Sequence, residues 1–398
     1  MFEVTGSMGT AKVFADHVES KAIGQIHNLL NQPFISGEKI RFMPDVHAGA
    51  GCVIGTTMTI TDKVCPNLVG VDIGCGMLVA RLGNVNIDLK RFDEVIREYI
   101  PAGFNKRDVP HTICENYPLD YRPLSDLKAP VDIENARLSL GTLGGGNHFI
   151  EIDVDKDGNK YIVIHSGSRH LGLEIAKYYQ EKAYAELKER YGEHRKQLIE
   201  TMKSSGREQD ISKVLSKMPK SPDKELAYCV GDTLKDYLND MSVAQDFASL
   251  SREAMLYDIL TNMGLKIEHL FETRHNYIDL YDNILRKGAV SAGINELLII
   301  PINMRDGSLI CRGKGNADWN YSAPHGAGRI MSRGEAKANI SMDEYKKSMD
   351  GIYTSCVSAS TVDEAPFAYK PIDEIINNIG DTVEIIEQIK PIYNFKAN

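Results

Sequence analysis

Apolar positions in the first third of the chain come as short runs interrupted by glycine. Val53 to Ile60, Leu68 to Ile73 and Met77 to Leu82 each place a few apolar residues between tight-turn signals, which predicts short buried strands. Leu140 to Ile152 and Tyr161 to His165 repeat the style. The period then changes. Leu173 to Met202 consists of good helix formers with helical spacing of its apolar residues and predicts a long helix. Ser204 to Ser221 is polar and reads as a loop with a short helix. Leu234 to Met263 reads as a second helix, with Asp240 to Val243 as a candidate interruption. Strands return from Gly288 to Ile310, and after Asp363 a helix, Ile372 to Ile379, precedes a final strand.

Strand-rich blocks on both sides of a helical segment predict an α/β (mixed α+β) fold. We read one domain over residues 1–398, made of mixed sheets, with residues 172–265 as a central helical insertion. There is no internal repeat and no low-complexity tract.

Composition refines this picture. Apolar residues make up 42% of the 398, enough for a substantial core and too many for a disordered chain. No stretch is long and apolar enough to span a bilayer, and Met1 to Gly6 lacks the zones of a signal peptide. A cytoplasmic protein with no membrane partner is the expectation. The seven cysteines, Cys52, Cys65, Cys75, Cys114, Cys229, Cys311 and Cys356, include no C-x-x-C pair. That argues against a disulfide framework or zinc ribbon and for mostly buried thiols acting as small hydrophobes. The formal net charge of −9 sits awkwardly with a nucleic-acid partner. A local basic cluster in a cleft, or bound divalent cations, can offset it.

Candidate chemistry is concentrated in a few segments: PDVHAGAG (Pro44 to Gly51), VGVDIGCG (Val69 to Gly76), GGGNHFIE (Gly144 to Glu151), HSGSR (His165 to Arg169), Arg274-His275-Asn276 and HGAGR (His325 to Arg329). Carboxylate, thiolate and imidazole are the usual protein ligands of transition metals, and glycines admit close backbone approach. Asp72 and Cys75 in one turn can share or bridge a metal, with His148, His165 and His275 completing the site from other strand ends. The mixed donor set suits Zn, Mn, Fe or Co equally. Taken singly, each segment has a plain alternative: a packed histidine, a flexible glycine turn, or a strand followed by an ordinary turn. No G-x-S-x-G elbow, H-E-x-x-H helix or G-x-x-x-x-G-K-[ST] loop is present, so nucleotide use would not involve a P-loop. Cys75 as a thiol nucleophile stays open at this point.

In their order, these six segments resemble the RtcB family of RNA ligases, over a span from about Arg41 to the C-terminal Pro391-Ile392-Tyr393-Asn394-Phe395-Lys396. The resemblance implies a GTP- and Mn²⁺-dependent ligase that joins RNA 3′-phosphate or 2′,3′-cyclic-phosphate ends to 5′-hydroxyl ends. It implies two Mn²⁺ ions, one on Asp72, Cys75 and His148 and one on Cys75, His165 and His275, with the thiolate bridging. His325 is the implied nucleophile that becomes guanylylated, and Asp45 is assigned acid–base duty near the RNA ends. Nucleotide or phosphate contacts fall to Asn147, Glu151, Arg169, Asn276, Asn303, Met304, Gly326, Ala327, Gly328, Arg329, Tyr369 and Lys396, the lysine lying against guanine. Implied partners are RNA ends, such as tRNA or rRNA fragments, and an archease-like activator, with a monomer or weak oligomer as the assembly.

His47 is expected to orient a neighbour without binding metal, and His170 to be inert. The sequence departs from the family pattern at Pro301-Ile302-Asn303-Met304, where Ile-Pro-Gly-Ser-Met is frequent. The single tryptophan, Trp319, reads as a buried aromatic in preference to an RNA-stacking one. Two rivals accompany ligation: a metal-dependent hydrolase of cyclic-phosphate ends independent of His325, and a non-catalytic GTP- or RNA-binding paralogue.

Overall fold

Short apolar runs, most of them buried at nearly every position, form two principal sheets. The computed structural model describes residues 1–114, 121–216 and 221–397. A six-stranded sheet is ordered Phe2–Thr5, Thr10–Val13, Ile40–His47, Ile54–Thr59, Ile284–Lys287, Asn276–Asp279. The larger sheet runs His269–Arg274, Gly76–Gly83, Lys160–Ser166, Phe149–Val154, Val383–Phe395, Gly307–Gly313, Leu297–Asn303, with Tyr353–Thr354 beside Val383–Phe395. All of its successive neighbours are antiparallel, and both faces carry core. The fold is mixed α/β.

Two long helices cover one side. Arg169–Ser204 and Gly231–Met263 pack on each other, and the second also lies against the Gly76–Gly83 and Lys160–Ser166 strands. The second is continuous through Asp240 to Val243. Asp240 does not break it, because its carboxylate accepts from Lys128 N, Ala129 N, the Tyr179 hydroxyl and the Asn239 side chain instead of from the backbone of its own helix. The polar stretch after Ser204 contains a 3₁₀ turn, Glu208–Asp210, and a short helix, Ile211–Ser216; residues 217–220 fall outside the described ones.

Leu68 to Ile73 does not form the expected strand. It is a 3₁₀ turn, Pro66–Leu68, followed by a loop in which Gly70 and Gly74 take φ of 97° and 71°. Leu68, Val69 and Ile73 are buried in the core while Val71 is exposed, and those three buried side chains are what made the run look like a strand. Leu140 to His148 is likewise a loop, with strand only from Phe149. Among the described residues no helix is long and apolar enough to cross a membrane.

Candidate active site

The antiparallel register gathers the metal-ligand candidates at one end of the larger sheet. Cys75 immediately precedes the Gly76–Gly83 strand, His148 immediately precedes Phe149–Val154, and His165 is next to last in Lys160–Ser166. Met77 and Phe149 both pair with His165, and Gly76 pairs with Arg274. His275 is the single residue between His269–Arg274 of the larger sheet and Asn276–Asp279 of the other. Residues scattered over two hundred positions thus meet where the two sheets join.

Cys75 Sγ lies 3.5 Å from His148 Nε2 and 3.3 Å from His165 Nε2, and His165 Nε2 is 3.4 Å from His275 Nε2. Asp72 Oδ2 is 2.9 Å from His148 Nε2. Two donor groups result, Asp72–Cys75–His148 and Cys75–His165–His275, with the thiol common to both. The tautomers are fixed from behind. His148 Nδ1–H donates to Leu143 O at 2.9 Å and His165 Nδ1–H to Asn147 O at 3.1 Å. Each Nε2 is therefore left with its lone pair, and that of His148 faces a carboxylate oxygen. Such an acceptor–acceptor contact is resolved only by a proton or a cation between the two atoms.

Electrostatics point the same way. Burial drives His165 and His275 well below the ordinary imidazole value, helped by the neighbouring His148 and His325 respectively, so both rings are neutral as ligation requires. Burial pushes Asp72 up, but the contact with His148, when a proton lies between the two, outweighs this and leaves the carboxyl lowered. Burial and the Asp72 carboxylate push the Cys75 thiol well up. Only a cation at the sulfur would hold it as thiolate there.

Two framework features hold these groups. Gly167 lies against Asp72, and a Cβ there would fall 2.0 Å from Asp72 Oδ1. Ser168 N, at the start of the first long helix, donates to that same oxygen at 3.2 Å. Arg252, fully buried in the second helix, donates to Gly74 O at 3.0 Å and Ser166 O at 2.5 Å, clamping the loops that carry Cys75 and His165. Its charge is matched by Glu272 at 2.7 Å, whose carboxyl is pushed down to about 2: burial raises it, and Arg252 and Arg274 more than reverse that.

His325 adjoins the cluster, its ring centroid 5.0 Å from that of His275. Asp45, wholly buried, receives His325 Nδ1–H at 2.6 Å and His325 N–H at 3.2 Å on one oxygen, Oδ2. His47 Nδ1 donates to Asp45 O at 2.8 Å, an orienting contact. Gly328 takes φ of 76° and passes so close to Asp45 that a Cβ would sit 2.5 Å from its carbonyl oxygen. The HGAGR loop can therefore reach Asp45 only with glycine there.

A cavity of about 690 Å³ opens beside His325, lined also by Asn147, Glu151, Asn303, Met304, Gly326 to Arg329, Tyr369 and Lys396. At its inner end Glu364 is buried among Lys396 (3.0 Å), Arg333 (2.9 Å), Arg329 (3.5 Å) and the Tyr369 hydroxyl (2.6 Å). Burial raises its carboxyl, and Lys396 and Arg333 first among the opposing partners bring it below its usual value. Glu151 is held by Asn394 Nδ2 at 2.6 Å, yet burial raises it to about 7.

Several sequence candidates hold structure, Asn303 and Met304 while also lining the cavity. The Asn276 side chain joins Asp72 O to Gly288 N. The Arg169 guanidinium, on a residue with φ of 59°, bonds Thr142 Oγ1 and Gly103 O beneath the glycine run. Asn303 lines the cavity while its amide caps the turn to Asp306, and Met304 packs under Tyr345. Trp319 is buried and stacked on Phe14 at 3.8 Å. His170 is exposed near Glu174. Sequence reasoning missed Arg252, Glu272, Arg333 and Glu364, none of which stands inside the segments that concentrate the candidate chemistry.

A family model described as tRNA-splicing ligase RtcB matches residues 25–397. The RNA-splicing ligase RtcB of Escherichia coli (strain K12) is 33% identical over 420 residues, spanning 96% of this chain and 95% of that protein. The tRNA-splicing ligase RtcB of Archaeoglobus fulgidus is 26% identical over 469 residues, spanning 94% of this chain and 91% of its own.

Proposed function

Because the chain belongs to the RtcB family, we propose that it is a GTP-dependent RNA ligase that works through a guanylylated His325. It joins RNA 3′-phosphate or 2′,3′-cyclic-phosphate ends to 5′-hydroxyl ends. The observation that carries this reading is the Asp45–His325 contact of 2.6 Å. With Nδ1–H committed to a buried carboxylate, Nε2 keeps its lone pair on a ring that borders the cavity.

The donor set fits two Mn²⁺ ions: Asp72, Cys75 and His148 would hold one and Cys75, His165 and His275 the other. When bound, such cations neutralise charge building on phosphoryl oxygens. His325 Nε2 forms a bond to the α-phosphorus of GTP as the bond to pyrophosphate breaks. Asp45 stabilises the positive imidazole formed in that step and fixes the ring's direction. Lys396, Tyr369 and Glu151 form the base end of the cavity, with Glu364 holding the lysine and tyrosine in place. GMP then passes from His325 to an RNA 3′-phosphate. The 5′-hydroxyl of the second strand attacks that phosphorus and releases GMP, while a cyclic end is hydrolysed first.

Incubating the protein with a 3′-phosphate oligoribonucleotide, a 5′-hydroxyl oligoribonucleotide, GTP and Mn²⁺ tests this reading. A joined product that needs GTP supports it, and opening of a cyclic phosphate without joining would replace it with hydrolysis.

A further inference from the structure

Phe104 is fully exposed, yet the turn that displays it is tightly held. Gly103 N–H donates to Gly144 O at 2.9 Å, and Gly103 O receives the Arg169 guanidinium at 2.9 Å. Asn105 N–H closes on Ala102 O, and Arg107 N–H reaches Leu138 O at 3.0 Å. The Arg107 guanidinium adds bonds to Leu140 O, Gly141 O and Asp258. A single exposed apolar residue on a loose loop needs no explanation. One presented by a pinned turn at the rim of the site is different.

The location is specific. Gly144 approaches the His148 ring so closely that a Cβ on it would lie 2.9 Å from Nδ1. Gly103 Cα lies 3.8 Å from where a Cβ on Gly145 would project, and a Cβ on Gly103 would be 3.9 Å from Ala397, the residue after Lys396. The turn therefore sits on the seam between the loop bearing Asn147 and His148 and the segment bearing Lys396. Gly146 and Asn147, in the loop that carries His148, are exposed. Lys106, two residues beyond Phe104, is exposed as well.

We propose that Phe104 is a stacking platform for an unpaired base of the RNA strand whose end occupies the cluster. The inference rests on the RNA-ligase reading and adds to it the part of the surface that grips the strand. Its physical basis is the charge balance. A chain of net charge −9 draws less affinity from general phosphate neutralisation than a basic one, which gives weight to a contact of another kind on the strand. An aromatic face supplies one that tolerates any base, as single-stranded RNA recognition requires.

The chain's one tryptophan, Trp319, is buried, so Phe104→Trp gives a clean surface reporter. A short single-stranded oligoribonucleotide ending in a 3′-phosphate is titrated into this variant. Saturable fluorescence quenching is expected. In parallel, Phe104→Leu and Phe104→Ala are expected to weaken binding and raise KM for that oligonucleotide by about 5- to 100-fold, while Phe104→Tyr restores both. Joining by the wild type with an unresponsive Trp reporter and an indifferent Leu variant would overturn the platform and leave ligation standing. Phe104 would then face solvent or a protein partner. Failure of the wild type to bind or join RNA would overturn both readings.

Discussion

Asp45 and His325 are 280 residues apart in sequence and 2.6 Å apart in the fold, joined through Oδ2 and Nδ1. Asp45 also receives the backbone N–H of His325, so ring and main chain are set by one carboxylate oxygen. The resemblance to the RtcB family implies acid–base duty near the RNA ends for this aspartate; under the proposed mechanism its position also lets it orient His325. Asp45→Asn is expected to reduce His325 guanylylation by roughly 10²- to 10⁴-fold, because the amide can present its N–H to Nδ1 and reverse the tautomer. Metal content should be unchanged. Guanylylation at the wild-type rate would show that the ring needs no such partner.

The thiol shared between the two donor groups gives a stoichiometric expectation. Cys75→Ala should lose both ions on elemental analysis after Mn²⁺ loading and desalting, whereas His275→Ala should lose about one. Equal losses from the two variants would contradict a shared sulfur.

Arg252 ties Gly74 O and Ser166 O together inside the core, with Glu272 as its counter-ion. Removing Arg252 leaves Gly74 O and Ser166 O without their buried donor and Glu272 with Arg274 as its remaining cation, at a cost of about 3–5 kcal/mol. Arg252→Met should lower stability to denaturant by that order and loosen metal binding, since the clamped loops carry Cys75 and His165. An unchanged unfolding midpoint would remove Arg252 from the account.

Asp153 is wholly buried, and among the described residues neither carboxylate oxygen has a hydrogen-bond partner. Burial first, and then the charge of Glu151, raise its carboxyl well above the ordinary value. The folded protein thus keeps this proton to higher pH than the unfolded chain, whose carboxyl titrates near about 4. Above that pH the group costs stability increasingly, until its raised folded value is passed. Asp153→Asn should therefore be more stable than the parent near pH 8, by roughly 1–3 kcal/mol, with the gap closing toward pH 4. Thermal unfolding across that range checks it; a gap independent of pH would mean the carboxyl is not the cause.

Legibility in the sequence followed chemistry more closely than shape. Asp72, Cys75, His148, His165, His275 and His325 stood out because such residues beside glycines have no packing reason to be there, and the fold does bring them together. The long helices and the strands at Ile54–Thr59, Gly76–Gly83 and Lys160–Ser166 followed from periodicity. Leu68 to Ile73 misled, since apolar burial in a glycine-punctuated loop looks the same as burial in a strand. Arg252, Glu272 and Glu364 were invisible for a different reason. Each is a charge on an otherwise ordinary helix, strand or turn, and only tertiary pairing turns it from a surface residue into a buried clamp.

The most direct test of the central claim is a covalent one. The protein is incubated with α-labelled GTP and Mn²⁺, resolved under denaturing conditions, and the adduct is treated with acid and alkali. The label is expected to be acid-labile and alkali-stable, as a histidine phosphoramidate is, and to disappear in His325→Ala. A metal-loaded protein that takes up no label, or that keeps it in His325→Ala, would contradict the assignment of His325 as the nucleophile.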